Sequence, residues 1–389
     1  MTELHAPRLA QRIGRLQPSL VREILVAATR PGMISFAGGL PAADLMPPFP
    51  ADAIGDAALY QYGATEGEPA WRAAVADWIG TTGLAVAPEQ ILPLAGSQQG
   101  LDLAAKLLID PGAPMLTEAP TYLAALQVFR LFGAGIATVP LEADGPDLAA
   151  FERRLQEHRP RCVYLVPTFQ NPAGTCNTME ARRAVAELFD HHGTLLVEDD
   201  PYRTVSLDVE HATTPISALL KRAPWIYLGS FSKILWPGWR LGYLAARADL
   251  VPRLTALKQA CDLHTQRPGQ LAVAHWLRSE RRDADIERLR AGYRVRRNAM
   301  QAALAEHLGD IAQWQVPRGG LFFWVRLTRH RATRALLNSA MARGVAFMPG
   351  EAFYPDGAEQ THMRLNYSHS TPEQMQRGLA ILAELLRAE

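Results

Sequence analysis

The chain has 389 residues, 48% of them hydrophobic and 20% charged, and 40 Lys and Arg against 39 Asp and Glu leave a formal net charge of +1. That balance argues for no nucleic-acid backbone partner and no acidic tail, and no apolar run of about 18 residues marks a membrane span. The length suggests two or three domains, or one large α/β domain with a satellite. Cys162, Cys176 and Cys261 are odd in number and widely spaced. They form neither a disulfide framework nor a zinc pattern, so a reducing cytoplasm is the expected setting.

In chain order, "MTELHAPRLAQRIGRL" lacks the apolar stretch of a secretory signal. "PSLVREILVAAT" reads as a short helix carrying Arg22, followed by the Gly/Pro-rich connector "RPGMISFAGGLPAADLMPPFP". "EPAWRAAVADWIG" predicts a helix. "ILPLA" predicts a strand, and "SQQGLDLAAKLLI" a helix with Leu101, Ala104, Ala105 and Leu108 on one face. "RCVYLVPTF", "GTLLVEDD" and "PWIYLGS" are β-rich, and "TMEARRAVAELFDHHG" between them is an amphipathic helix ending at Gly. This alternation implies α/β architecture: a large, doubly wound, mostly parallel sheet. After residue 280 a long charged helix leads to "GGLFFWVRL", "GVAFMPG" and "HMRLNYS", a smaller α+β domain. The expected division is an N-terminal arm joining the small domain (1–45), a large domain (46–280) and the small domain (281–389).

Ligands of open α/β sheets gather at the carboxyl ends of strands. After "ILPLA" comes "GSQQG", where Ser97 is either part of an anion cradle or a simple helix cap. "QNPAG" places Asn171 on what is otherwise an ordinary turn. "EDDPY" places Asp199 and Asp200 at the end of a strand that should be buried. There a carboxylate needs a partner, and a pair could also bind Mg²⁺. Lys233 lies in "LGSFSKILWPGWRLGYLAA", either a solvated turn or a reactive amine. A lysine, an acid and a phosphate cradle at strand ends match pyridoxal phosphate, whose carbonyl forms a Schiff base with lysine.

The ordered set "SFAGGLP", "YQYGATEGEPAWR", "GSQQGLDL", "EAPTY", "QNPAGT", "EDDPY", "GSFSKILWPGWRLGY", "GGLFFWV" and "RLNYS" spans nearly the whole chain. In it the sequence resembles the class I/II aminotransferases of pyridoxal-phosphate fold type I. It is most similar to the kynurenine/2-aminoadipate aminotransferase branch, which also resembles the effector domain of MocR-type regulators. The resemblance implies amino-group transfer from an amino acid to a 2-oxo acid, with 2-oxoglutarate the expected acceptor.

It further implies that Lys233 forms the Schiff base and shuttles protons. Asp199 pairs with the ring nitrogen, Asn171 and Tyr202 bind the ring oxygen, and Tyr122 stacks on the ring. Ser97, Gln98, Ser230 and Arg240 hold the phosphate, and Ser232 holds the turn. Arg364 grips the substrate carboxylate, helped by Asn171 and the Gly38–Gly39 backbone. Tyr62 reaches the partner's phosphate across a homodimer. Arg22 either pairs with a substrate side-chain carboxylate or is a solvated helix residue. Trp236 and Phe353 are aromatic candidates near the site or parts of the core, and Asp200 is left unassigned, its simplest role a cap or surface contact. Lyases, decarboxylases and cyclising enzymes share this cofactor set and stay open as alternatives. A regulator would need a DNA-reading module ahead of motifs that begin by residue 35, and a metal hydrolase would need ligands beside Asp199–Asp200 that the sequence lacks.

Overall fold

The computed structural model describes residues 8–16, 24, 26, 30–55, 57–208, 214–329 and 332–388. After strand β1 (Ile34–Ser35) and helix α1 (Pro69–Gly80), strands and helices alternate. They run β2 (Ile91–Leu94), α2 (Ser97–Leu108), β3 (Pro114–Ala119), α3 (Leu123–Phe132), β4 (Gly135–Pro140), α4 (Leu148–His158), β5 (Cys162–Leu165) and α5 (Met179–His192). Next come β6 (Leu195–Asp199), α6 (Ile216–Leu219), β7 (Trp225–Ser230), β8 (Gly242–Ala246), α7 (Val251–Asp262), α8 (Arg267–Arg278) and α9 (Arg282–Leu308). The chain closes with β9 (Ala312–Trp314), β10 (Phe322–Leu327), α10 (Thr333–Ala342), β11 (Val345–Ala346), β12 (Met348–Pro349), β13 (His362–Asn366) and α11 (Pro372–Arg387).

A seven-stranded sheet has the order β2-β8-β7-β6-β5-β3-β4. Strands β3 to β7 pair in parallel, and β8 runs against both its neighbours. β2, β5, β6 and β8 are buried along their whole length, which is why they read as apolar runs without alternation. Their side chains still divide by parity between two cores. Leu92, Leu94, Cys162, Tyr164, Leu195 and Val197 pack on one face. Ile91, Val163, Leu165 and Leu196 pack on the other. Each fully buried Leu or Phe there stabilises the fold by about 2 kcal/mol. The covering helices have local stops and starts. The Thr178 hydroxyl accepts from Ala181 N at the start of α5, and Gly193 ends it in the left-handed conformation.

Two smaller sheets lie in the C-terminal part. One is antiparallel with order β12-β13-β10-β9, and the other pairs β1 with β11 in parallel. β1 is held there by register Ile34↔Val345. Phe36 continues the docking, donating to Ala346 O at 2.7 Å and accepting from Asn366 N at 2.8 Å. Residues 37–40 therefore leave the small sheets directly toward the carboxyl ends of the large one. The long helix α9 buries Ile286, Leu289, Tyr293, Met300 and Leu304, and its Tyr293 hydroxyl accepts from Ala42 N at 3.0 Å. No helix among the described residues is long and apolar enough to cross a membrane.

Candidate active site

The carboxyl ends of β2, β5, β6 and β7 and the segment 37–40 enclose a cavity of about 400 Å³. Gly39, Ser97, Gln98, Tyr122, Asn171, Asp199, Tyr202, Ser230, Lys233, Arg240 and Arg364 all border it. Ser232 borders it as well, and its backbone N–H donates to Ser230 Oγ at 3.1 Å within the turn. Tyr62 does not. Its ring is 76% exposed and stands edge-on to His264. Arg22 lies outside the described residues.

One end of the cavity is built for an anion. Ser97 opens α2, whose start carries no side-chain cap, and a helix N-terminus of that kind suits an anion. Gly96 precedes it at φ +81°, and a Cβ there would stand 2.6 Å from Arg240 Nη2. Only glycine allows both that backbone and that approach. Arg240 closes the opposite wall, with Nη1 donating to Ser232 Oγ at 3.5 Å.

Lys233 and Asp199 share the middle of the cavity. Lys233 Nζ donates to Gly39 O at 3.0 Å and stands 5.7 Å from the centre of the Tyr202 ring. Burial, then Arg364 and Arg240, push its pKa down to about 8 against the opposing pull of Asp199. Asp199 is 3% exposed. Its Oδ2 accepts from the Tyr164 hydroxyl at 2.7 Å, while its buried Oδ1 meets no hydrogen-bond donor. Burial pushes this carboxyl up to about 7, with the Tyr164 bond pulling it back and Asp200 adding to the rise. An acid buried with one oxygen unmet is a group built to face a donor.

Asp200, left open by the sequence, finds its place in the structure. It is 4% exposed and neither a cap nor a surface contact. It accepts from Arg203 Nε at 2.5 Å and from the Tyr227 hydroxyl at 2.9 Å. Neighbouring residues of a strand point to opposite faces, so the two aspartates find different partners and do not converge on a metal. No group of three or more His, Cys, Asp or Glu among the described residues could hold a metal ion.

The other end of the cavity suits a carboxylate. Arg364 on β13 donates from Nη1 to Asn171 Oδ1 at 2.8 Å and from Nη2 to Ala37 O. Its Nε is buried without an acceptor. The guanidinium carbon sits 4.1 Å from the Phe322 ring centre and 5.0 Å from that of Phe353. The two aromatic faces fix its plane, and burial lowers its pKa to about 10. Asn171 Nδ2 donates to the Tyr202 hydroxyl at 3.4 Å. Trp236 belongs elsewhere: its Nε1 donates to Pro47 O at 2.8 Å, and its ring meets Phe49 edge-on.

A larger hollow of about 620 Å³ lies behind the strand ends, bordered by Trp78, Asp200, Arg203, Tyr227 and Arg290. Size does not choose between the two. Asp200 Oδ1, on the larger hollow, is also buried and unmet, but the smaller cavity alone adds an amine of depressed pKa to an acid with an unmet oxygen and two arginines. Sequence reasoning passed over Tyr164, Phe322 and Gly96. A tyrosine inside the aliphatic run "CVYL" was the available signal for the first.

The sequence profile described as aminotransferase class I and II matches residues 50–382. The 2-aminoadipate transaminase of Thermus thermophilus is 39% identical over 96% of this chain and 95% of its own length. The aromatic-amino-acid aminotransferase 1 of Thermococcus litoralis is 36% identical over 100% of this chain and 97% of its own. Among solved structures, an α-aminoadipate aminotransferase from Thermus thermophilus, complexed with N-(5'-phosphopyridoxyl)-L-leucine, superposes with a TM-score of 0.88. It is 38% identical and covers 98% of this chain and 97% of its own.

Proposed function

The chain belongs to the class I and II aminotransferase family and is an enzyme of amino-group transfer. We propose that it works with pyridoxal phosphate held in the 400 Å³ cavity, taking the amino group from an amino acid and giving it to 2-oxoglutarate. The observation that carries this reading is Asp199 Oδ1, buried and unmet, in a cavity that also holds the Lys233 amine. The residues present fit the cofactor: an acid for the ring nitrogen, an amine for the aldehyde, and the Gly96–Arg240 cradle for the phosphate. The phosphopyridoxyl-leucine bound in the related structure supports the same assignment.

Pyridoxal phosphate, when bound, supplies an aldehyde that condenses with amines and a protonated ring that draws in the electron pair of a broken Cα–H bond. Everything else falls to the chain. Ser97, Gln98, Ser230 and Arg240 grip the phosphate. Asp199 accepts the hydrogen bond of the ring nitrogen, Asn171 and Tyr202 serve the ring oxygen, and Tyr122 packs on the ring. Arg364 binds the α-carboxylate of donor and acceptor in turn, beside Asn171 and the Gly39 backbone. Lys233 Nζ would take the proton from the substrate Cα. A pKa pushed down to about 8 leaves about a tenth of the amine neutral at pH 7, far more than an ordinary lysine would have.

We also propose a homodimer in the cytoplasm, with Tyr62 reaching the partner's phosphate. Tyr60 and Tyr62, 80% and 76% exposed, are large aromatic rings suited to a second chain, and the unpaired cysteines suit a reducing compartment. The domain division is proposed as expected from the sequence, with residues 1–45 and 281–389 flanking the large domain. The experiment is a panel of acidic, aromatic and aliphatic amino acids with 2-oxoglutarate, read by glutamate formation. It runs alongside borohydride reduction and peptide mapping of the cofactor-loaded protein. Glutamate from at least one donor and a label on Lys233 are expected; a label on another lysine overturns the assignment.

A further inference from the structure

Tyr164 lies fully buried in β5. In the sheet its register partner is Val197 of β6. Asp199 is the next residue of β6 on the same face, so the Tyr164 hydroxyl comes up beside that carboxylate and donates to Oδ2 at 2.7 Å. The tyrosine cannot readily swing away. Its ring stands edge-on to Phe129 at 5.5 Å, and its backbone carbonyl accepts from Thr117 Oγ1 at 3.1 Å. The arrangement is repeated on the other face. Tyr227 of β7 is in register with Glu198 and donates to Asp200 at 2.9 Å. Each of the two adjacent aspartates thus has its own tyrosine, supplied by a different flanking strand.

We propose that Tyr164 is a positioning residue: it keeps Asp199 ionised and aimed, and so keeps the proton on the ring nitrogen of bound pyridoxal phosphate. The inference rests on the cofactor reading above. A proton shared by a ring nitrogen and a carboxylate settles on the more basic of the two. Burial makes the carboxylate of Asp199 more basic, and the phenol opposes that by bonding to its charged form. The phenol stays a donor, because burial and the neighbouring carboxylate hold its own pKa well above the ordinary tyrosine range. Without the hydroxyl, the carboxylate takes the proton and the ring becomes a weaker acceptor of electrons. Tyr164 does not border the cavity, so its loss should reach kcat and cofactor affinity but spare KM for the donor.

The test loads wild type, Tyr164→Phe and Tyr227→Phe with cofactor labelled with ¹⁵N in the ring and compares the ring-nitrogen resonance and the cofactor Kd. In Tyr164→Phe the resonance should move toward that of a neutral pyridine, and Kd should rise about tenfold, as for a lost hydrogen bond to a charged group. Tyr227→Phe should leave the resonance where wild type has it. An unchanged resonance and Kd in Tyr164→Phe overturn the inference, and so does an equal shift in Tyr227→Phe. Should Tyr164→Phe fail to fold, 3-fluorotyrosine placed at position 164 supplies a stronger donor of nearly the same shape. It should shift the resonance further toward the protonated ring, and no shift overturns the inference. Wild type that binds no cofactor overturns the cofactor reading, and this inference with it.

Discussion

Arg364 donates from Nη1 to Asn171 Oδ1 at 2.8 Å, joining the antiparallel sheet to the end of a strand of the large sheet across 193 residues of sequence. With Phe322 and Phe353 beside its plane, the guanidinium is oriented before any substrate arrives. Arg364→Lys keeps a charge but loses the fork. KM for amino donors should rise about 100-fold, equivalent to about 3 kcal/mol, with cofactor Kd unchanged. Steady-state kinetics and cofactor titration on the same preparation check both halves.

The two aspartates should separate by readout. Asp199→Ala should fold with near-wild-type melting but bind pyridoxal phosphate weakly and lose most activity. Asp200→Ala should instead lose about 3 kcal/mol of stability, because it removes the buried carboxylate to which both Arg203 and Tyr227 donate. Thermal unfolding and cofactor titration of both variants distinguish them. The reverse pattern would move the ring-nitrogen partner to Asp200.

Lys233 has a pKa of about 8 against the ordinary 10.5, so the neutral amine is favoured by the fold. Capture of pyridoxal phosphate by the cofactor-free protein should speed up about tenfold per pH unit below this value and level off above it. Arg364 is one cause of the depression, so Arg364→Gln should move the break to higher pH. Linkage gives the stability side. Between about pH 8 and 10.5 the unfolded chain binds more protons than the folded one. Burial of Lys233 therefore costs stability below that window, and the cost disappears as pH rises through it. Stopped-flow absorbance and pH-dependent denaturation measure the two effects. Lys233→Ala should lower kcat by about 10⁴-fold or more, since anchor and base are lost together.

A shared site at a dimer interface predicts complementation. Lys233→Ala chains mixed with Tyr62→Ala chains should form heterodimers in which one site carries both lesions and the other carries none. That intact site should regain wild-type cofactor affinity and turnover. If Tyr62 serves its own subunit, every site keeps one lesion and mixing restores nothing. Sedimentation of the active species gives the accompanying mass.

What could be read from the sequence was local. Lys233, Asp199 and Asn171 each stand within a few residues of a strand end, and strand ends of a parallel sheet converge without any knowledge of strand order. Tyr164 stood out only as a tyrosine inside an aliphatic run, and its role was illegible for the complementary reason. Its partner is fixed by the register of β5 against β6, which no run of residues encodes on its own. Asp200 was left unassigned because nothing in the sequence says that Arg203 turns inward to meet it. Strand alternation and burial, not composition, turn that pair inward. The reversal of β8 was likewise invisible, since a buried strand is equally apolar in either direction. The docking of β1 beside β11 joins residues separated by almost the whole chain, though the motif order already placed both ends of the chain near one site.

Lys233 and Arg364 both bond to carbonyls of one short segment, Gly39 O and Ala37 O. On the proposed reading, these carbonyls are internal competitors for the two cations that substrate must engage. A neutral amide oxygen yields readily to a carboxylate, whose charge-assisted bonds to a guanidinium are about twice as strong, but not to an uncharged group. The segment therefore sets a threshold: an amine lacking a carboxylate would have to break the Ala37 contact and offer nothing stronger in return. Because the same residues run straight into β1 and the small sheets, these two carbonyls also tie the site's two cations to the C-terminal part of the molecule.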